Sequence, residues 1–352
     1  FLGLELQFED IQIYPLAVND LDRRLLLRQQ AFRAFHRCAF EAREAVGLTD
    51  LTSFSKYEVT GADANALLER VCANQVPRHD GVVVLSQMLT TLGGIESEAT
   101  VTRLTGNHYY LLSGAVAELH DLDWLVQHID PGEKITVTNV TDDYGVLLLA
   151  GPRSRDVLFS LTDSGLTNED GFTWMRAKEI TVAGIPVRAL RVSYVGELGW
   201  ELHHPIEYQN HIFDALMEAG KEFNLKPFGI RAMDSLRIEK SYKLVGTEMS
   251  IEYAAMESGL DRFVHLNKGN FIGRDALVKW QQTGFKNQFV TLEVMDVKDA
   301  DALGNNPIYK DDEVVGRATG GNYGFRVQKS LALGMVKPEF SKVGTQLKMD
   351  IL

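Results

Sequence analysis

Two carboxylates, Glu96 and Glu98, follow a pair of glycines in residues 93–101 (GGIESEATV). Two consecutive glycines permit a tight turn with positive φ. If a strand follows that turn, its alternation places Glu96 and Glu98 on one face, two residues apart. Neighbouring carboxylates raise each other's pKa, so one of them could accept a proton or bind a cationic amine. An exposed strand edge without a chemical role is the alternative interpretation.

A second candidate site lies in residues 193–201 (SYVGELGWE), which combine glycines, aromatic side chains and carboxylates. The glycines allow the backbone to approach a ligand closely, and Trp200 offers a flat apolar face. Glu201 could accept two parallel N–H bonds from the edge of an adenine, guanine or pterin ring. A hairpin with a buried Trp200 remains the structural alternative.

A third candidate is Arg237 in residues 233–240 (MDSLRIEK), which have the spacing of a helix. Asp234 and Arg237 stand at i and i+3 and can therefore pair on one side of that helix. Arg237 could bind a ligand carboxylate. The alternative is an ion pair on the helix surface, which contributes little to stability.

The rest of the sequence lacks the common catalytic and metal-binding motifs. It contains no GxGxxG after a strand, no P-loop, no HExxH, no CxxC pair and no GxSxG. The adjacent His203 and His204 would point to opposite faces of a strand, so we predict structural roles for them and no metal site. The two cysteines, Cys38 and Cys72, are expected to be buried thiols in a reducing compartment.

Composition indicates an ordinary globular protein with two or three domains. The chain has 352 residues, of which 45% are hydrophobic and 24% charged, with a formal net charge of −12. The negative charge disfavours non-specific binding to nucleic acid or anionic membranes, and no apolar run is long enough to span a bilayer. The start at Phe1 and the strand-like residues 345–352 suggest a fragment of a longer chain.

Strands and helices alternate without regular βαβ units, which predicts an α+β protein with mostly antiparallel sheets. Helices are predicted at 21–46, 64–70 (capped by Asp63), 118–127, 154–161, 208–222 and 231–240, and strands at 52–59, 82–89, 99–104, 108–113, 135–140, 144–150, 180–182, 187–192, 199–203 and 331–336. Residues 259–279 are expected to link this region to a smaller barrel-like domain, whose β-rich sequence begins near Phe289 and includes the glycine-rich residues 319–324.

Taken in order, these segments resemble the folate-binding aminomethyltransferase family, whose type member is the T protein of the glycine cleavage system. The resemblance is carried by GLTDLTSFSKYEVTG (47–61), LAGPRSRDVL (149–158), SYVGELGWE (193–201), FGIRAMDSLRIEK (228–240), GLDRFVHLNKGNFIGRDAL (259–277), GRATGGNYGFRVQKSLALGMV (316–336) and VGTQL (343–347). Each piece is moderately specific, and the ordered set is highly specific. ELHDLDWL (118–125) and SYVGELGWE are most similar to the C-terminal half of dimethylglycine and sarcosine dehydrogenases.

The resemblance implies a ring of three domains around a central folate channel, with a C-terminal β-barrel domain. Residues 1–46 would form an N-terminal extension and long helix. Residues 47–280 would form the folate-binding core of two α+β subdomains, and residues 281–352 the barrel.

The resemblance also implies roles for individual residues. Glu201 matches the glutamate that holds the pterin N–H edge, Tyr194 matches a folate-contacting tyrosine, and Glu98 stands where the T protein has its catalytic aspartate. Trp200, Glu96 and Arg237 are further candidate folate contacts, with Arg237 assigned to the folate tail. Two positions depart from the family: Arg262 replaces an aromatic residue, and Asn270 replaces the cysteine of the iron–sulfur maintenance branch, which argues against that branch.

The implied function is tetrahydrofolate-dependent one-carbon transfer, or demethylation of a small N-methyl (or S- or O-methyl) compound. The chain would act alone or as the folate half of an FAD-dependent dehydrogenase. FAD is expected only on an N-terminal domain or partner subunit outside this chain. Expected partners are a small methylated amine and an FAD oxidoreductase, and the expected location is the cytoplasm, or the mitochondrial matrix in a eukaryote. A non-catalytic folate module that channels product for a flavoenzyme, and a scaffold that has lost folate, remain alternatives.

Overall fold

Three β-sheets with flanking helices make up the described part of this computed structural model, which is residues 42–162, 172–196, 198–297 and 300–351. Residues 42–44 are helical. Residues 45 and 46 are not helical, so the helix ends two residues before its predicted bound. Residues 21–41 of the predicted helix lie outside the described residues, as does Cys38.

The elements follow one another in an irregular alternation. The strands are β1 (Gly47–Asp50), β2 (Ser55–Thr60), β3 (Val83–Leu89), β4 (Ile95–Thr105), β5 (His108–Ser113), β6 (Thr136–Asn139), β7 (Tyr144–Ala150), β8 (Ala177–Val182), β9 (Ile185–Leu190), β10 (Gly199–Pro205), β11 (Lys226–Pro227), β12 (Gln288–Val294), β13 (Pro307–Lys310), β14 (Glu313–Gly324), β15 (Lys329–Val336) and β16 (Lys348–Met349). The helices are α1 (Ala64–Val71), α2 (Glu118–Gln127), α3 (Ser154–Ser160), α4 (Gln209–Ala219), α5 (Ile230–Glu239) and α6 (Arg274–Thr283).

Sheet I is an antiparallel sheet with the strand order β3-β4-β5-β2-β6. Strand alternation gives it two faces. One carries Ala99 and Val101, which form a core with Leu67 of α1 and Leu125 of α2. The opposite face carries Tyr110 and side chains of the strands on either side of β5.

Sheet II has the order β11-β1-β7-β10-β9-β8 and is covered on both faces. The apolar run of β7 (YGVLLLA) reflects this arrangement. Its Leu147 and Leu149 pack into a core with residues of α3 and α4, whereas Val146 and Leu148 pack on the other face with residues of α5. A strand buried on both faces has an almost continuous apolar sequence rather than an alternating one.

Sheets I and II face each other. Tyr110 and Leu112 of sheet I pack with Leu190 of sheet II in one buried cluster. Leu190 pairs with Glu201 across the β9–β10 ladder, so the two share a face. The interface between the sheets therefore includes Glu201, from the second candidate site.

Sheet III, with the order β12-β15-β14-β13-β16, forms the C-terminal part. The predicted C-terminal barrel is an open, barrel-like sheet. Across the described residues its edge strands β12 and β16 do not pair, so the barrel is not closed. The glycine-rich residues 319–324 lie within β14. A Cβ at Gly321 in this stretch would stand 2.9 Å from the carbonyl oxygen of Leu331, so glycine permits the close approach of β15.

A connecting segment, residues 241–264, links α5 to the region before sheet III and is fixed by two buried carboxylates. Glu257 accepts the backbone N–H groups of Ala254, Lys286 and Asn287 at 2.8–3.0 Å. Glu248 accepts the Leu244 N–H at 2.9 Å. Such fully bonded buried carboxylates hold a chain without regular secondary structure in one conformation.

Two local predictions differ from the structure. The predicted linker 259–279 includes the start of α6 and a 3-10 turn at Asp261–Phe263. Asp63 precedes α1 but makes no side-chain cap; its carboxylate accepts the Lys134 N–H at 2.8 Å instead. A long-range partner has replaced the local one that the sequence suggested. No helix within the described ranges is long and apolar enough to cross a membrane.

Candidate active site

Glu98 lies on β4, on the face of sheet I that meets sheet II. Its directly opposite neighbour is Gln87 on β3, whose amide nitrogen donates to the Glu98 Oε1 at 2.8 Å. Burial raises the pKa of Glu98 to about 7, against the opposing effects of the Gln87 hydrogen bond and the charge of Lys243. A carboxyl group with this pKa can both accept and donate a proton near neutral pH.

Glu96 does not share this face. The prediction that Glu96 and Glu98 lie side by side on one face of the strand is therefore wrong. The β3–β4 register skips Glu96 at a bulge, and a bulge changes the direction of the side chains beside it. Glu96 accepts from the His120 Nε2 at 2.7 Å, and the His120 Nδ1 lies 2.9 Å from Asp121. The hydrogen bond to Asp121, followed by that to Glu96, raises the pKa of His120. Glu96 therefore fixes α2 against β4 and lies apart from Glu98.

The glycine turn before β4 explains how Glu98 comes close to the connecting segment. A Cβ on Gly94 would lie 2.0 Å from the carbonyl oxygen of Ile251. The next residue, Ile95, donates its N–H to the Ser250 oxygen at 3.0 Å. Glycine is required here because the two backbones are in contact, whereas the sequence suggested only a tight turn.

We expect Gly94→Ala to lower the free energy of unfolding by about 2–3 kcal/mol, because the methyl group must push two hydrogen-bonded backbones apart. Gly114→Ala is the matched control, since Gly114 has an ordinary φ of −66° and nothing within 4 Å of a Cβ. Urea unfolding of both variants is the measurement. Equal stabilities would show that the close approach is not required.

Glu201 lies on β10 and points toward the interface between sheets I and II. Its cross-strand neighbours are Leu148 and Leu190, both buried on that face. The side chain is 14% exposed, and its one polar partner among the described residues is His203, whose Nε2 lies 3.5 Å from the Glu201 Oε2. The carboxylate thus has oxygens available for external N–H donors.

Trp200 lies on the opposite face from Glu201, because successive strand residues alternate. It is fully buried in the core of sheet II, with its ring centroid 6.1 Å from that of Phe172. For Trp200, the structure agrees with the alternative interpretation of a strand with a buried tryptophan. The Trp200 ring does not lie beside the Glu201 carboxylate.

Tyr194 follows β9 and lies against the connecting segment. Its hydroxyl donates to the Lys243 carbonyl oxygen at 2.7 Å, and its ring centroid is 6.0 Å from that of Tyr242. Burial raises the pKa of Tyr194, so the phenol stays protonated at neutral pH. Burial also lowers the pKa of Lys243, an effect increased by Arg262 and opposed by Glu248 and Glu98. Tyr194 and Lys243 therefore belong to the same region as Glu98.

Arg237 donates hydrogen bonds to protein groups through its Nε and Nη1. Its Nε donates to Asp234 at 2.8 Å. Its Nη1 donates to the Tyr242 carbonyl oxygen at 3.0 Å and to the Glu248 carboxylate at 3.2 Å. The predicted pairing with Asp234 is confirmed, although the arginine is buried rather than on the surface. These bonds anchor the connecting segment to α5. The assignment of Arg237 to the folate tail stays a prediction.

Sequence reasoning missed Gln87, Lys243 and Tyr110 and assigned His203 a structural role only. No local pattern identified Gln87, since its relevance depends on the β3–β4 register. The two departures from the family are both exposed: the Arg262 guanidinium lies 4.6 Å from the Phe263 ring centroid, and Asn270 is on the surface. Within the described ranges, no group of three histidine, cysteine or acidic residues could hold a metal ion.

Two cavities open elsewhere on the protein. One of about 300 Å³ is lined by Trp174 and Arg191 near the start of β10. The other, of about 250 Å³, lies between the connecting segment and sheet III and includes Tyr253 and Arg317. Neither includes Glu98 or Glu201 in its lining.

The comparisons with known proteins agree with this architecture. The model of the GCVT N-terminal domain matches residues 6–268, and that of the glycine cleavage T-protein C-terminal barrel domain matches residues 287–352. The mitochondrial dimethylglycine dehydrogenase of Homo sapiens is 39% identical over 314 residues, which cover 89% of this chain and 36% of that protein. An aminomethyltransferase of Caldanaerobacter subterraneus is 29% identical over 316 residues, covering 88% of this chain and 82% of that one.

The structural comparison supports the same fold. The crystal structure of the glycine cleavage system aminomethyltransferase T from Bartonella henselae superposes with a TM-score of 0.80 at 22% identity, covering 90% of this chain and 85% of that chain. The chain spans 36% of the length of the human dimethylglycine dehydrogenase. With family models that account for most of its length, this chain belongs to the glycine cleavage T-protein family.

Proposed function

We propose that this chain binds tetrahydrofolate and catalyses transfer of a one-carbon unit to it from a small methylated amine. The observation that carries the proposal is the placement of Glu98 and Glu201 on facing surfaces of sheets I and II. One carboxylate has a pKa suited to proton transfer, and the other has oxygens available to bind a heterocycle.

The residues between the sheets fit a ring system that both donates and accepts hydrogen bonds. The buried polar atoms without a hydrogen-bond partner among the described residues include Gln87 Oε1, Thr102 Oγ1 and His203 Nε2. Glu98, which pairs with Gln87, is on the same face of sheet I as Thr102. Buried polar atoms are rarely left unpaired in folded proteins, so these atoms favour a polar ligand.

Tetrahydrofolate would supply a nucleophilic ring nitrogen as the acceptor of the one-carbon unit. Glu201 would hold its pterin N–H edge, because a carboxylate accepts two parallel N–H bonds from an aminopyrimidine. Tyr194 would contact the ligand at the connecting segment.

Glu98 would carry the proton transfers. As a carboxylate, it can stabilise positive charge on a methylated amine or iminium donor, or take a proton from it. The Gln87 hydrogen bond keeps its Oε1 in place. Closure by sheets I and II would limit hydrolysis of a reactive one-carbon species.

A flavoenzyme partner is part of the proposal. The chain matches a little more than a third of dimethylglycine dehydrogenase, so we propose that an FAD oxidoreductase, as a further domain or separate subunit, oxidises the methylated amine. The non-catalytic folate module remains the second candidate, since Glu98 is a glutamate where the resemblance implies an aspartate.

Anaerobic calorimetry with tetrahydrofolate tests the binding step. The expected result is saturable binding of one ligand per chain, with incorporation of the one-carbon unit from formaldehyde or an oxidised methylamine. A folded protein that shows no binding at millimolar tetrahydrofolate would contradict the proposal and favour a scaffold without folate.

A further inference from the structure

We propose that His203, held by Tyr110, is a positioning residue that sets the orientation of the Glu201 carboxylate. This inference rests on the proposed folate-binding function. His203 lies two residues after Glu201 on β10 and shares its face. Its two ring nitrogens meet different partners: the Nδ1 is 3.1 Å from the Tyr110 hydroxyl, and the Nε2 is 3.5 Å from the Glu201 Oε2.

The partners favour one protonation state of the imidazole. His203 and Tyr110 are both fully buried. Burial lowers the pKa of His203, against the effect of Glu201, and Arg188 and Lys56 lower it further. Burial raises the pKa of Tyr110, so the phenol keeps its proton and can donate it to the Nδ1. A neutral imidazole then carries its own proton on the Nε2, which faces the carboxylate.

Tyr110 is itself held rigidly between the sheets. The Arg188 guanidinium lies 4.5 Å from its ring centroid, and the Tyr144 ring packs edge-on at 5.9 Å. Tyr110 is on β5 of sheet I, whereas His203 is on β10 of sheet II. The hydrogen bond between them therefore joins the sheets beside Glu201.

The separation of 3.5 Å from His203 Nε2 to Glu201 is longer than a formed hydrogen bond. The Nε2 has no other partner among the described residues. Hydrogen bonds in an active site are often long in the ligand-free protein and shorten when the ligand binds. A carboxylate has about four acceptor positions, so Glu201 can accept the Nε2–H and still accept two ligand N–H groups. Fixing one oxygen in advance reduces the entropy lost on binding.

Amide substitutions separate the two nitrogens of His203. The glutamine amide nitrogen occupies the place of the Nε2, whereas asparagine reaches only the place of the Nδ1. If His203 orients Glu201, affinity for tetrahydrofolate should decrease in the order wild type, His203→Gln, His203→Asn. His203→Asn and His203→Leu should weaken binding by about 10-fold, and His203→Gln by clearly less.

The measurements are tetrahydrofolate titration by calorimetry and the thermal midpoint of each variant without ligand. A purely structural role, in which only the link to Tyr110 matters, predicts the reverse: His203→Asn would bind as wild type and His203→Gln would not. Tyr110→Phe keeps the ring packing but removes the hydroxyl, and it should weaken binding several-fold while the protein remains folded.

The outcomes distinguish this inference from the proposed function. Wild type that does not bind tetrahydrofolate overturns the proposed function. Wild type that binds, with His203→Leu and Tyr110→Phe binding equally well, overturns the positioning role alone. If His203→Leu does not fold, the comparison of the two amide variants still decides between the two roles.

Discussion

Replacement of Glu201 by Gln is expected to weaken tetrahydrofolate binding by about 100-fold, the upper range for loss of hydrogen bonds to a charged group. Glutamine keeps the size of the side chain but removes its charge and turns one acceptor into a donor. That donor would then face the N–H groups of the pterin edge. Glu201→Ala should have a comparable effect, since it removes both oxygens.

The control for Glu201 is Glu207→Gln, which removes a carboxylate that is exposed just after β10. Titration by calorimetry should show wild-type affinity for Glu207→Gln and a strongly reduced affinity for Glu201→Gln. The thermal midpoints of both variants should stay close to that of wild type, because Glu201 has only one long contact within the described ranges. Unchanged affinity in Glu201→Gln would remove this residue from the binding site.

Replacement of Glu98 by Gln is expected to lower turnover by about 100- to 10 000-fold, the range for loss of a general acid or base. Affinity for tetrahydrofolate should change little, because the amide keeps the shape of the side chain. Single-turnover measurement of one-carbon transfer, together with calorimetry, tests both statements. Glu222→Gln, at an exposed position, is the control. Unchanged turnover in Glu98→Gln would favour the non-catalytic module.

The pH dependence provides an independent test of Glu98. If its carboxylate is the active form, turnover should rise as pH increases and level off above the pKa of about 7. The Glu98→Gln variant should lose this dependence, since glutamine does not titrate. A wild-type profile that stays flat between pH 5 and 8 would contradict the role of Glu98 as a base.

The same shift in pKa means that the Glu98 carboxylate lowers the free energy of unfolding at pH values above its pKa. The folded state holds the proton more tightly than the unfolded state, whose carboxyl has the ordinary pKa of 4.5. Stability contributed by this group is therefore complete below pH 4.5 and is lost as pH rises through 7. Because Glu98 keeps some exposure, we expect Glu98→Gln to be more stable than wild type by about 1–2 kcal/mol at pH 8, measured by urea unfolding.

Local sequence was sufficient where neighbouring residues determine structure. The bounds of β5, β7 and α2 coincide with the predicted elements, because strong apolar periodicity lies between glycine or polar breaks. The expected burial of Cys72 is also confirmed, and burial raises its pKa to about 11. The ordered motifs were sufficient to identify the family, although each motif alone was not.

Long-range contacts account for the differences between the sequence predictions and the structure. The bulge that separates Glu96 from Glu98 depends on how β4 pairs with β3, and no residue within β4 specifies it. Arg237 has the predicted partner Asp234, but its Nη1 also donates to Glu248 and to the Tyr242 carbonyl oxygen, which the connecting segment brings in. The open edge of sheet III likewise depends on which strands meet in space.

The sequence by itself determined the α+β class, the family and the residue types at positions 98 and 201. It also determined the alternation on β10, by which Glu201 and Trp200 must point to opposite faces. Tertiary structure alone decided that the sheet surfaces carrying Glu98 and Glu201 pack against each other and that Tyr110 of one sheet is hydrogen-bonded to His203 of the other. The physical reason is that strand geometry is local, whereas the packing of two sheets depends on contacts between residues distant in sequence.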